Sequence, residues 1–160
     1  MDIPPIETVK IQAQVLVPLV KALRAELGEE RADGLIRKAL GDMYRKLGDR
    51  WWRSKSGNDL GANIAGLFEW TSADDALEYQ VLTKAPDAFE ADVTHCRYAQ
   101  FFKQIGAPEL GFLLVCSADF PITEGFGNGV QLTRTQTLMQ GASHCDFRYT
   151  VDKEAKPQPE

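Results

Sequence analysis

Residues 96–127 read CRYAQFFKQIGAPELGFLLVCSADFPITEGFG, and residues 130–150 read VQLTRTQTLMQGASHCDFRYT. Two periods follow each other in this stretch, and they decide the fold. From Cys96 the spacing is helical: Cys96, Ala99, Phe102 and Ile105 fall on one side. A break at 106–108 precedes a second short apolar helix carrying Leu110, Leu113, Leu114 and Ser117. The segment 117–129, SADFPITEGFGNG, reads as a glycine-rich loop with Pro121 inside it. Period two then takes over, predicting strands at 130–139 and 145–151 joined by the turn QGASH. Upstream, Leu77, Tyr79 and Val81 alternate, as do Phe89, Ala91 and Val93, on either side of a turn at 84–87. That pattern predicts an antiparallel hairpin. A strand pair, a helical pair and a second strand pair make an α+β chain.

The N-terminal part is helical. Ile6, Val9, Ala13, Leu16, Val20, Leu23 and Leu27 repeat at steps of three and four, with Pro4 and Pro5 before the first turn, where a missing N–H costs nothing. Val15, Leu19 and Ala22 broaden the stripe, so this helix is buried on several sides or packs against a second copy; a homodimer through 6–27 is the partner arrangement expected. Pro18 predicts a kink. A second helix puts Leu35, Ile36, Ala39, Leu40, Met43, Tyr44 and Leu47 on its inner face and runs into GDRWWRSKSGN. There Trp51 and Trp52 stand among cations, as a packed pair with a solvated basic rim or as a stacking surface. Residues 58–70 predict a short helix capped by Asn58 or Asp59. The expected organisation is one domain over 1–152, helical over 1–70 and strand–helix–strand over 71–152, with a disordered tail at 153–160.

Composition removes several function classes. The chain has 160 residues and a net charge of -5. Residues 1–55 carry a surplus of +3 and residues 56–160 a deficit of -8, which gives no concentrated basic face for nucleic acid. No apolar run is long enough to span a membrane, and the N-terminus lacks the order of a secretory signal, so a cytoplasmic protein is expected. Three cysteines, Cys96, Cys116 and Cys145, form no CxxC pair and leave an odd count, which argues for reduced thiols.

Candidate chemistry concentrates in the last third. Arg134 stands where an apolar strand residue is expected, and a buried guanidinium needs a partner. Asp119, Glu124, Asp146 or a ligand carboxylate could serve, so structural salt bridge and ligand anchor both stay open. Cys116 and Asp119, three apart, share one side of a helix end. A carboxylate does not activate a thiol; Arg134 or His144 could. Cys145 lies on the apolar face of the last strand. Buried cysteine as inert filler competes with a functional reading throughout. No cofactor is expected; a zinc ion held by Cys96, Cys116 and Cys145 is the weaker alternative, since their spacing matches no standard ligand pattern.

The Cys116-x-x-Asp119 pair, the Arg134-Thr135-x-Thr137 strand and the ending Gly141-x-x-x-Cys145-Asp146-Phe147 resemble the L-2-amino-thiazoline-4-carboxylic acid hydrolase family over about residues 89–150. A more distant likeness is to vinyl-reductase-type and haem-NO-binding ligand domains. The first resemblance implies a hydrolase opening a cyclic C–N bond in a small carboxylate-bearing heterocycle. Cys116, Asp119, Cys145 and His144 are then the expected catalytic residues, with Cys116 or Cys145 as a possible nucleophile, Asp119 on the attacking water or the ring nitrogen, and His144 shuttling protons. Arg134, Thr137, Cys96 and Asp146 are the expected substrate-binding residues. The alternative function is a non-catalytic small-molecule-binding domain.

Overall fold

Alternating apolar and polar residues over 77–96 can bury one face only as a pleated hairpin. The computed structural model, which describes residues 2–154, has that hairpin as β1 (Leu77–Ala85) and β2 (Ala88–Cys96). The last strand, β4 (Cys145–Val151), pairs antiparallel with β2 and with β3 (Val130–Thr133). The sheet order is therefore β1-β2-β4-β3, all antiparallel. Its inner face carries Phe89, Ala91, Val93, Cys145 and Tyr149, all buried.

Six α-helices occur among the described residues: α1 (Pro5–Leu27), α2 (Glu29–Arg53), α3 (Leu60–Thr71), α4 (Arg97–Gln104), α5 (Pro108–Leu114) and α6 (Asp119–Phe126). Helices α4 to α6 are inserted between the two strand pairs, so the class is α+β. Local chemistry sets their ends. Asp59 caps α3 by accepting from the Ala62 N–H at 2.9 Å, and Cys96 caps α4 through its sulfur, which accepts from the Ala99 N–H at 3.4 Å. Helix α3 lies on the sheet through Phe68, whose ring is 5.2 Å from those of Phe89 and Phe147. A second core gathers α1, α2, α4 and α5 around Val20, Ile36, Phe102 and Leu110. Cys96 and Leu138 touch both cores and mark their seam.

The crossing of α2 over α6 needs two glycines. A Cβ on Gly48 would stand 2.0 Å from the Ile122 carbonyl oxygen, and one on Gly125 2.0 Å from that of Arg45. Each helix thus presents bare backbone where the other approaches, which fixes α6, and Asp119 at its start, close against α2.

Four expectations are corrected. The segment 117–129 contains a helix, α6, and not only loop. Its proline falls in the first turn, where no intrahelical N–H is lost, while Phe126 supplies a buried anchor. The strand expected at 130–139 ends at Thr133, because Asp146 takes the next backbone donors: its carboxylate accepts from the Thr135 N–H at 2.9 Å and the Gln136 N–H at 3.0 Å. A 3-10 turn follows at Leu138–Gln140, capped by Thr137. In α1, Val15 and Leu19 face outward, 68% and 50% exposed, as does Ile11. In α2 the buried line is Ala32, Asp33, Ile36, Gly41, Gly48 and Trp52, leaving Leu35, Ala39, Met43 and Leu47 outside; the close approach of α6 to Gly48 holds that side inward. Among the described residues no helix is long and apolar enough to cross a membrane. The tail expected at 153–160 lies, from 155 on, outside the described residues.

Candidate active site

An arginine after a four-residue strand has no ladder to join, and Arg134 turns inward. Its side chain is 2% exposed. Nη1 donates to Asp119 Oδ2 at 2.6 Å, and Nη2 donates to the Cys116 carbonyl at 3.1 Å. The guanidinium also lies 5.1 Å from the ring centre of Phe120 and 5.3 Å from that of Phe147, a cation held between two π faces. The loop bearing it is held by Asp146, which braces Thr135 and Gln136.

Asp119 opens α6, and 33% of its side-chain surface is accessible. Burial is nonetheless the largest influence on its carboxyl, raising it from 3.8 to about 6 against the opposing pull of Arg134. The ion pair is thus enclosed on the Arg134 side and reached by solvent along one edge of Asp119. Phe120 and Thr123 beside it line a cleft of about 270 Å³ between α6 and β3.

Three thiols and three phenols surround the pair. Burial raises Cys96 to about 11, partly offset by the Ala99 N–H. Burial raises Cys116 further still; Asp119 adds to the effect and Arg134 only moderates it. Cys145 is raised by burial too, with the Leu138 N–H opposing at 3.2 Å. All three are free and protonated at neutral pH. Tyr44, Tyr98 and Tyr149 are raised by burial, and the Asp119 carboxylate adds to each. Thr123, whose hydroxyl donates to the Asp119 carbonyl at 2.7 Å, lies beside the Tyr149 hydroxyl.

The structure thus brings together Cys96, Cys116, Asp119, Arg134 and Cys145. It does not bring His144 to them. Next to Cys145, His144 takes the other side of the chain, where Nδ1 shares a hydrogen bond with the Ser143 hydroxyl at 2.8 Å and Nε2 lies 3.9 Å from Asp92. Asp146 is occupied by the loop it braces; burial pushes its carboxyl up, but those hydrogen bonds outweigh burial and hold it below the usual range. Thr137 is buried and donates to the Gln140 side chain while its oxygen accepts from the Gln140 N–H. Among the described residues no group of three or more His, Cys, Asp or Glu is placed to hold a metal ion, so the zinc alternative lacks its ligand set. Tyr149 and Thr123 were missed in the sequence, although parity with Cys145 puts Tyr149 on the same strand face. Thr123 carries no signal once 117–129 is read as loop; as a helix, its i+4 spacing from Asp119 is plain.

Chemically, the arrangement offers a desolvated cation fit for a carboxylate, a carboxyl that titrates near neutrality and a lining of neutral donors. A family model described as L-2-amino-thiazoline-4-carboxylic acid hydrolase matches residues 8–149. No curated protein matches the chain. Among solved structures, the chain is similar to the phenol-responsive sensory domain of the transcription activator PoxR, crystallised with phenol. Identity is 18% and the TM-score 0.47, over 85% of this chain and 72% of that one.

Proposed function

The chain belongs to the L-2-amino-thiazoline-4-carboxylic acid hydrolase family, and from that premise we propose that it hydrolyses a cyclic C–N bond in a small, carboxylate-bearing heterocycle of the thiazoline type. One observation carries the reading: a buried guanidinium is joined at 2.6 Å to a carboxyl whose proton is held up to about pH 6. Arg134 receives the substrate carboxylate. Asp119 manages the proton traffic between water and ring nitrogen. Water adds to the C=N carbon and the ring C–N bond breaks. The water oxygen becomes a carbonyl oxygen, and both its protons end on the former ring nitrogen, which leaves as an amine.

The elevated thiols favour direct attack by water over a covalent thiol intermediate, because a neutral thiol is a poor nucleophile. In this reading Cys96, Cys116 and Cys145 pack around the ion pair, with Tyr149 and Tyr98 as neutral donors. Three free thiols also suit the reducing cytoplasm, and residues 1–152 act as one catalytic domain.

Purified protein incubated with 2-amino-thiazoline-4-carboxylate and followed by mass spectrometry tests the reading. A product heavier than substrate by one water, lost in Arg134→Met, is expected. Stoichiometric thermal stabilisation with no product would identify a binding domain instead.

A further inference from the structure

Any anion that reaches Arg134 meets a guanidinium already neutralised by Asp119. Among the described residues, Arg134 is the cation that acts on Asp119. The remaining titratable groups around the carboxyl are Tyr44 from α2, Cys96 from β2, Tyr98 from α4, Cys116 from the turn before α6, and Cys145 and Tyr149 from β4. All six are acids that are neutral when protonated, so none can supply positive charge. Entry of a carboxylate would put two negative groups against one buried guanidinium. Two carboxylates sharing so enclosed a site do not both stay ionised.

We propose that anionic substrate binds together with one proton: its carboxylate replaces Asp119 on Arg134, and Asp119 leaves the pair as a neutral acid. The inference rests on the reading of Arg134 as the carboxylate anchor. It assigns Asp119 a starting state, since the released acid then has its proton ready for the ring nitrogen before water adds. After that transfer the carboxylate takes a proton from the adding water, so the cycle closes with no net change at Asp119. Binding itself thereby arms the acid. Asp119 near its ordinary value would resist the exchange; burial has already brought it most of the way.

Isothermal titration with thiazole-4-carboxylate provides the test. This aromatic monoanion cannot be ring-opened by the same route and carries no group that titrates near neutrality. Titrations at about pH 7.5 in phosphate, HEPES and Tris give the protons exchanged from the dependence of heat on buffer ionisation enthalpy. Uptake of about one proton per ligand is expected, with binding weakening about tenfold per pH unit from about 7 to 8.5. The uncharged thiazole-4-carboxamide should bind without uptake, and Asp119→Asn should bind the carboxylate with neither uptake nor that pH dependence. Tight binding of the carboxylate without proton uptake overturns the inference and leaves carboxylate capture standing. Uptake that survives in Asp119→Asn overturns it as well, because another group then takes the proton. Failure of thiazole-4-carboxylate to bind at all removes the anchor reading and the inference with it. The wild-type measurements decide the matter even if the variant does not fold.

Discussion

Replacing Asp119 by Asn should reshape the pH dependence of stability in the direction opposite to that of an ordinary paired carboxylate. Burial lifts the Asp119 carboxyl from 3.8 to about 6 in the folded protein. Between those values the folded state binds more protons than the unfolded one, so stability falls as pH rises through the window. At about 1.4 kcal/mol per pH unit the displacement corresponds to about 3 kcal/mol. A third of the side chain is accessible, and screening by water there reduces the expectation to about 1–2 kcal/mol. Asp146, held below its usual range, contributes with the opposite sign, but it is present in both proteins and cancels in their difference. Urea unfolding of wild type and Asp119→Asn at about pH 4, 5, 6 and 7 gives that difference directly. Wild type should lose about 1–2 kcal/mol relative to the variant on going from about pH 4 to 7. Parallel curves, or a difference that grows in favour of wild type with rising pH, would show that Arg134 outweighs burial and that Asp119 has no proton to manage near neutrality.

Gly48→Ala should destabilise by about 1–3 kcal/mol, because its Cβ meets the Ile122 carbonyl at 2.0 Å, while Gly34→Ala on the same helix, with nothing within 4 Å, should stabilise by up to about 1 kcal/mol; urea midpoints of the two test the crossing of α2 and α6. Iodoacetamide at neutral pH should leave Cys96, Cys116 and Cys145 largely unmodified in the native protein and label all three in urea, as mass spectrometry of the intact chain can read; rapid native labelling of any one would contradict the raised thiols. Cys116→Ser should keep turnover within about tenfold and move the alkaline limb of the kcat/KM profile to lower pH, since a hydroxyl is a better donor to the Asp119 carboxylate than a thiol. A loss of several orders of magnitude would restore the thiol as nucleophile.

The architecture was open to reading because period two and period three-to-four are imposed by the backbone itself. The hairpin at 77–96, the helices after Cys96 and the terminal strand all obey local rules, and their order is enough for the α+β class. Which face of α2 turns inward was not open, because Gly48 on that face is chosen by a partner helix about 75 residues further along. The early end of β3 was equally hidden. Its residues alternate well, but a carboxylate from the next strand takes two of the N–H groups that a ladder would use. At the site, Arg134 was visible as a charge in an apolar pattern, and Asp119 was visible among its candidate partners. The phenols were not, since a tyrosine on an apolar face looks the same whether its hydroxyl meets a wall or a carboxyl.

The thiols and the ion pair explain each other. Sulfur is weakly polar and thiols are poor donors, so Cys96, Cys116 and Cys145 fill space around Asp119 without solvating its charge. Three serines in their place would supply strong donors, and a carboxylate with such donors falls well below neutrality. The guanidinium is tuned from the other side: Phe120 and Phe147 face it with π surfaces, which favour the cation without competing as anions. Arg134 thus sits against apolar ring faces while burial keeps the Asp119 carboxyl near the point of giving its charge up. The seam between two hydrophobic cores is where such a setting can be built, because helices and sheet both reach it and each supplies apolar walls. A polar pair placed inside either core alone would need fixed partners on every side, and no room would remain for an incoming carboxylate to take one partner's place.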